Sequence, residues 1–173
     1  MALNKTLTIN KRNRKYKQSY FLPLKPNKYI GITPILCRSS WERAFCKFCD
    51  MNDNVVKWSS ESQEIPYQIM VNNKLEIHKY HPDFYLEMTS INDPEKYDRL
   101  VIELKPKHET VEPIKPKKQT LKMLENYSYS CMTYKKNLHK WAYAKEWCEK
   151  RNFKFIIITE DDLRKKGLIP PKK

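Results

Sequence analysis

The short run Val101-Ile-Glu-Leu-Lys105 sets an acid and a base two residues apart among aliphatic side chains. Along a strand, side chains alternate between faces, so Glu103 and Lys105 share one face and Ile102 and Leu104 the other. Alone the pair says little. In a chain with 34 Lys and Arg and 20 Asp and Glu, about four acid-x-base triplets arise by chance, and most such pairs are surface ion pairs. Two further acids change its meaning. His81-Pro-Asp-Phe84 stands upstream at the start of an apolar strand, and a hairpin through Asn92-Asp-Pro94 would set Asp83 beside Glu103. Glu42 falls in the first turn of a helix expected to pack on the same sheet. Three carboxylates repel one another unless a cation lies among them, and oxygen-only donors suit Mg²⁺ or Mn²⁺. A lysine beside them can hold a water nucleophile or offset charge on phosphorus. The chemistry indicated is metal-assisted attack of water on a phosphate ester.

The elements that must position these residues are legible in outline. Ser39-Ser-Trp-Glu42 fits a capping box, with Ser39 as the cap and Glu42 reaching back. Trp41, Phe45 and Phe48 then repeat at helical spacing and should face the core as far as the turn residues near Asp50. Strands are expected over residues 55–58, 65–71, 75–80, 83–88 and 99–105, with a hairpin turn at Asn72-Asn73. A proline-rich connector, 106–116, leads to two expected helices, 117–127 and 138–151. A short buried strand at 153–158 precedes a last helix, which Thr159 begins and Asp162 completes as a capping box. The order α, several strands, α, α, β, α indicates an α/β or α+β domain, with a central mixed sheet flanked by helices.

Composition bounds the function. The chain has 173 residues and a formal net charge of +14, enough for one domain with a core. Two glycines leave no room for a glycine-rich phosphate loop. The longest uninterrupted aliphatic-aromatic run, 155–158, is far short of the ~18 residues of a membrane span. The N-terminal stretch has no apolar run suited to a secretory signal. Five cysteines, odd in number and scattered, argue against a disulfide framework and for a reduced, cytoplasmic setting. Cys46-Phe-Lys-Cys49 and His78-Lys-Tyr-His81 raise zinc, but the two His would face opposite ways on a strand and the spacing is unlike a zinc finger. From Met1 to Trp41 there are nine basic residues and no acid. Residues 1–36 therefore read as a basic arm ahead of a domain at 37–173, and a polyanion is its natural partner. Lys11, Arg12, Arg14, Lys15 and Lys17 are its candidate DNA contacts. Lys107, Lys115, Lys117 and Lys118, just past the Glu103 strand, either grip the phosphate backbone or form a solvated linker.

A helix glutamate, then Pro-Asp, then Glu-x-Lys resembles the pattern of the PD-(D/E)XK nuclease superfamily, whose core is restriction-endonuclease-like. More narrowly, the chain is similar to the head completion nucleases of T-even-type phages. That likeness rests on Arg38-Ser-Ser-Trp-Glu42, Trp58-Ser-Ser-Glu61 with Ile65-Pro-Tyr67, and Ile102-Glu-Leu-Lys-Pro-Lys107. Lys115-Pro116, Lys140-Trp141, Glu149-Lys-Arg151, Lys154-Phe155 and Thr159-Glu-Asp161 continue it. It covers residues 36–168, and the last part also resembles the end-cutting subunits of some transposases. The resemblance implies a Mg²⁺- or Mn²⁺-dependent DNA nuclease acting in phage head completion and head–tail joining. Its implied setting is the host cytoplasm during assembly, or the virion, with DNA and head or neck proteins as partners. It implies catalytic roles for Glu42, Asp83, Glu103 and Lys105. Asp83, Glu103 and the Leu104 backbone carbonyl would be metal ligands, and Glu42 would complete the acidic cluster. Two rivals remain at this level: a non-catalytic DNA-holding protein of the head–tail junction, and a restriction-type or junction-resolving nuclease. Metal-dependent loss of supercoiled plasmid separates the first, and a discrete fragment pattern or a preference for branched DNA the second.

Overall fold

Two runs rich in Val, Ile and Leu, 100–104 and 155–158, form parallel neighbours in a mixed sheet. The structure is a computed structural model and describes residues 18–172. In chain order these carry β1 (Ser19–Phe21), β2 (Ile35–Cys37), α1 (Ser40–Met51), β3 (Val55–Ser60), β4 (Ile65–Val71) and β5 (Lys74–Tyr80). There follow β6 (Phe84–Thr89), β7 (Tyr97–Leu104), α2 (Leu121–Glu149), β8 (Lys154–Ile158) and α3 (Glu160–Lys165). The main sheet has the order β3-β6-β7-β8, antiparallel except for the β7–β8 pair. Parallel neighbours need a long crossover, and α2 supplies it. β4 and β5 form a separate hairpin whose turn residues, Asn72 and Asn73, both adopt positive φ, as a tight hairpin turn requires. This is an α+β fold with a mixed sheet flanked by helices, compatible with a restriction-endonuclease-like core.

Alternation along β6 and β7 sorts their side chains between two cores. Phe84, Leu86, Ile102 and Leu104 pack with Phe45, Cys46 and Cys49 of α1 and Leu163 of α3. Tyr85 and Val101 pack with Trp141, Ala144 and Cys148 of α2 and with Ile65, Tyr67 and Tyr80 of the hairpin. Glu103, two residues on from Val101, therefore stands on the α2 side of the sheet, as the period of two requires.

Two expectations are corrected. The helices expected at 117–127 and 138–151 are one helix of 29 residues. The polar stretch between them contains neither Gly nor Pro, so nothing stops propagation; the Ser130 hydroxyl donates back to the Asn126 carbonyl at 2.9 Å, a local bond a helix tolerates. The described part of the stretch expected as an arm is also packed. β1 pairs with β2, Ile35 is buried in the α1 core, and Phe21 and Tyr29 set ring edges against buried Trp58. Asp50, 1% exposed, accepts from the backbone N–H groups of Leu24 and Lys25 and ties this segment to α1. Lys11, Arg12, Arg14, Lys15 and Lys17 lie outside the described residues.

Candidate active site

Strand register brings the two central acids together. Phe84 stands opposite Ile102 and Tyr85 opposite Val101, which carries Asp83, just before β6, to the level of Glu103. Asp83 Oδ2 accepts from the Leu104 N–H at 2.6 Å, and its carbonyl accepts from the Glu61 N–H at 3.0 Å. Fully buried Pro82 restricts the chain as it enters β6. Glu103 is 4% exposed; its Oε1 meets Lys105 Nζ at 3.1 Å, and its Oε2 has no hydrogen-bond partner. The neighbouring Tyr80 hydroxyl is also buried without one. Leaving such a group unmet costs about 1–3 kcal/mol, so buried polar atoms nearly always have a partner.

The charges are correspondingly strained. Burial and then the charge of Glu103 push the Asp83 carboxyl up to about 7, against the Leu104 N–H and Lys105. Burial pulls Lys105 down, but Glu103, Asp83 and Glu109 outweigh it and hold the ammonium above its ordinary range. Tyr80 is pushed up, by burial first and by Glu103 second. Among the described residues, Lys105 is the cation that stands closest to these two withdrawn carboxylates.

Asp83, Leu104 and Lys105 open onto a cleft of about 490 Å³ that Glu42, Arg38 and His108 also line. Glu42 reaches it from the first turn of α1. Its N–H donates to the Ser39 hydroxyl oxygen at 3.1 Å, and its carboxylate accepts from the Ser39 Oγ–H at 2.8 Å and the Arg38 N–H at 2.7 Å. The glutamate is thus engaged in capping at the cleft wall, reaching back one residue further than a capping box does. Arg38 is in turn ion-paired with Glu61, which adopts positive φ after β3. Among the described residues, no group of three His, Cys, Asp or Glu side chains stands close enough together to hold a metal ion.

The predicted DNA-contacting lysines are placed less uniformly. Lys107 donates from Nζ to Asp161 at 2.8 Å and from its backbone to Glu160 at 2.7 Å, so an acid already balances its charge. Lys115, Lys117 and Lys118 are exposed on the segment before α2 and do not line the cleft. Cys46 and Cys49 are buried beneath α1, with Cys46 Sγ 3.7 Å from Cys37 Sγ, whereas His78 pairs with Glu76 on the exposed hairpin. Sequence reasoning missed His108 and Glu109, and it quoted Arg38 and Glu160 within matching motifs without placing them at the cleft. The short 3₁₀ turn Lys107–Glu109 brings His108 and Glu109 back to the cleft, and a proline-rich connector carries no pattern that foretells such a return.

A Glu-x-Lys strand with an aspartate at its side, opening onto a cleft of an α+β fold, defines an endonuclease-like domain. The chain belongs to the family described as TnsA-like endonuclease N terminal, whose model matches residues 52–160, a span containing Asp83, Glu103 and Lys105. It is 34% identical over 148 residues to the head completion nuclease of Enterobacteria phage T4, covering 85% of this chain and 93% of that protein. No solved structure matches the chain.

Proposed function

We propose that the protein is a divalent-cation-dependent deoxyribonuclease that hydrolyses phosphodiester bonds and acts in phage head completion, as the name of its T4 relative indicates for that protein. The reading is carried by the β6–β7 register, which sets Asp83 level with buried Glu103, while Asp83 and Lys105 line one cleft. The residues fit a hard cation: an orphaned Glu103 Oε2, an Asp83 carboxyl pushed up by its anionic neighbour, and oxygen donors throughout. Asp83, Glu103 and the Leu104 carbonyl would hold Mg²⁺ or Mn²⁺, with Glu42 adding negative charge at the cleft wall. Such a cation supplies positive charge at the phosphate and makes water more acidic.

Lys105, kept protonated by its carboxylate neighbours, offsets the charge that grows on the phosphoryl oxygens or orients the attacking water. Asp83 is itself held by the Leu104 N–H, which limits its rotation where it lines the cleft. DNA is the substrate, and head or neck proteins of an assembling particle in the host cell are the partners.

The test is cleavage of linear, circular and branched DNA by purified protein in Mg²⁺, Mn²⁺ or EDTA. Wild type cuts with a divalent cation and not in EDTA. Lys105→Ala lowers the rate by at least ~10²-fold, the scale for losing one electrostatic stabiliser, with Mn²⁺ affinity unchanged. A wild type that binds DNA but never cuts it would be a DNA-holding protein.

A further inference from the structure

Among the lysines of the described residues, Lys140 of α2 is unusual. It is half-buried, with its Nζ 5.2 Å from the Tyr80 ring centroid and 5.8 Å from that of Tyr67. Several exposed lysines are neutralised directly, among them Lys107 by Asp161, Lys150 by Glu146 and Lys154 by Asp98. Neither Lys140 nor Lys136 has such an ion pair among the described residues. The charges acting on Lys140 are those of Lys136, Glu103 and Lys105. Burial and then Lys136 lower its pKa, so the arrangement disfavours the ammonium it holds. Contact with two tyrosine rings offsets only part of that cost.

The placement is directional. Lys136 and Lys140 are four residues apart on one helix, ~5–6 Å at Cβ and on the same face. Lys140 reaches back over Tyr80, whose hydroxyl neighbours Glu103, and Lys105 stands at the cleft. On the other side, Lys136 lines a groove of about 850 Å³ between α2 and the β4–β5 hairpin, where Lys135, Tyr129 and Tyr143 also lie. Three ammonium groups therefore run from the cleft along α2 to a groove whose floor is apolar (Ile69, Met70, Leu75 and Met132) and whose α2 rim carries Lys135 and Lys136. An extended polyanion satisfies all three at once, which a single small anion does not.

We propose that Lys140 and Lys136 form a phosphate-binding track: with the reacting phosphate at Lys105, Lys140 takes the adjoining phosphate and Lys136 the next, leading one DNA strand along α2. The inference rests on the nuclease reading for the identity of the polyanion. It assigns backbone holding to α2 rather than to the neutralised Lys107. Such contacts position the strand without reading its sequence.

The experiment is binding of a fluorescent duplex in EDTA across a salt series. The chains compared are wild type, Lys136→Met, Lys140→Met, their double variant and Lys140→Arg, with Lys140→Gln as a second neutral variant should Lys140→Met disturb the fold. Each neutral replacement weakens binding about five- to tenfold and flattens the log-affinity against log-salt slope by ~0.9, the double variant by nearly twice that. Lys140→Arg restores the slope, and the losses are alike on unrelated sequences. A double variant that folds and keeps the wild-type slope overturns the track, whatever its cleavage activity. A wild type that binds with this lysine dependence but fails to cut in Mg²⁺ or Mn²⁺ removes the nuclease reading and leaves the track standing.

Discussion

Asp83 illustrates how much a single residue here is asked to bear. Its carboxyl is pushed up to about 7, by burial first and Glu103 second, whereas an unfolded Asp titrates near 3.9. Between those values the folded chain holds a proton that the unfolded chain has lost, so stability falls as pH rises through that window and levels off above it. Asn at 83 keeps an acceptor for the Leu104 N–H and removes the titration. The stability advantage of Asp83→Asn over wild type should therefore widen by about 2 kcal/mol from pH 4 to pH 8. That is roughly half the full linkage value, because the cleft admits water. Urea unfolding in EDTA at several pH values measures this, and a constant gap would show that folding does not raise the Asp83 carboxyl. Asp83→Asn should also abolish cleavage, since the stabilised chain has lost the donor the reaction needs.

At the scale of elements, the start of α1 performs two tasks with one side chain. The Glu42 carboxylate accepts from the Arg38 N–H and the Ser39 hydroxyl, yet it lines the cleft with Asp83 and Lys105. Substitution separates the tasks, because Gln serves at the third helical position nearly as well as Glu. Glu42→Gln should stay within ~0.5 kcal/mol of wild-type stability while its cleavage rate falls by at least ~10-fold. Ser39→Ala, which removes the cap and leaves the charge, should cost about 1 kcal/mol and cut at near the wild-type rate. Denaturant unfolding and plasmid relaxation read the two effects separately. If Glu42→Gln cuts normally, Glu42 is a capping residue that happens to face the cleft.

The whole molecule carries a net charge of +14, and its distribution matters more than its sum. Residues 1–17 contain six Lys or Arg and no acid. Lys25 is paired with Asp53, and Lys28 donates to the carbonyls of Asp50 and Asn52. Deletion of residues 1–17 should therefore leave the fold intact and flatten the salt slope of DNA affinity by about 3 units if half of its charges meet phosphates. The affinity lost should not depend on DNA sequence. An unchanged slope would make the segment a protein-docking or solubility element.

Much of this protein was written in local pattern. The cap at Ser39, the Asn72-Asn73 turn, the alternation that sends Ile102 and Leu104 to one core and Glu103 to the other face, and the Thr159–Asp162 capping box all follow from rules spanning a few residues. The adjacency of Asp83 and Glu103 was also legible, because a hairpin fixes register through its turn. What tertiary structure alone decided involves partners distant in sequence. Local pattern did not reveal that α2 runs unbroken, since the polar stretch 128–137 reads as a break although, without Gly or Pro, nothing in it stops the helix. Nor did charge counting distinguish Lys107, neutralised by an aspartate 54 positions away, from Lys140, which faces two tyrosine rings and has no ion pair among the described residues. A lysine's partner is set by where the chain returns, and no local period encodes that return.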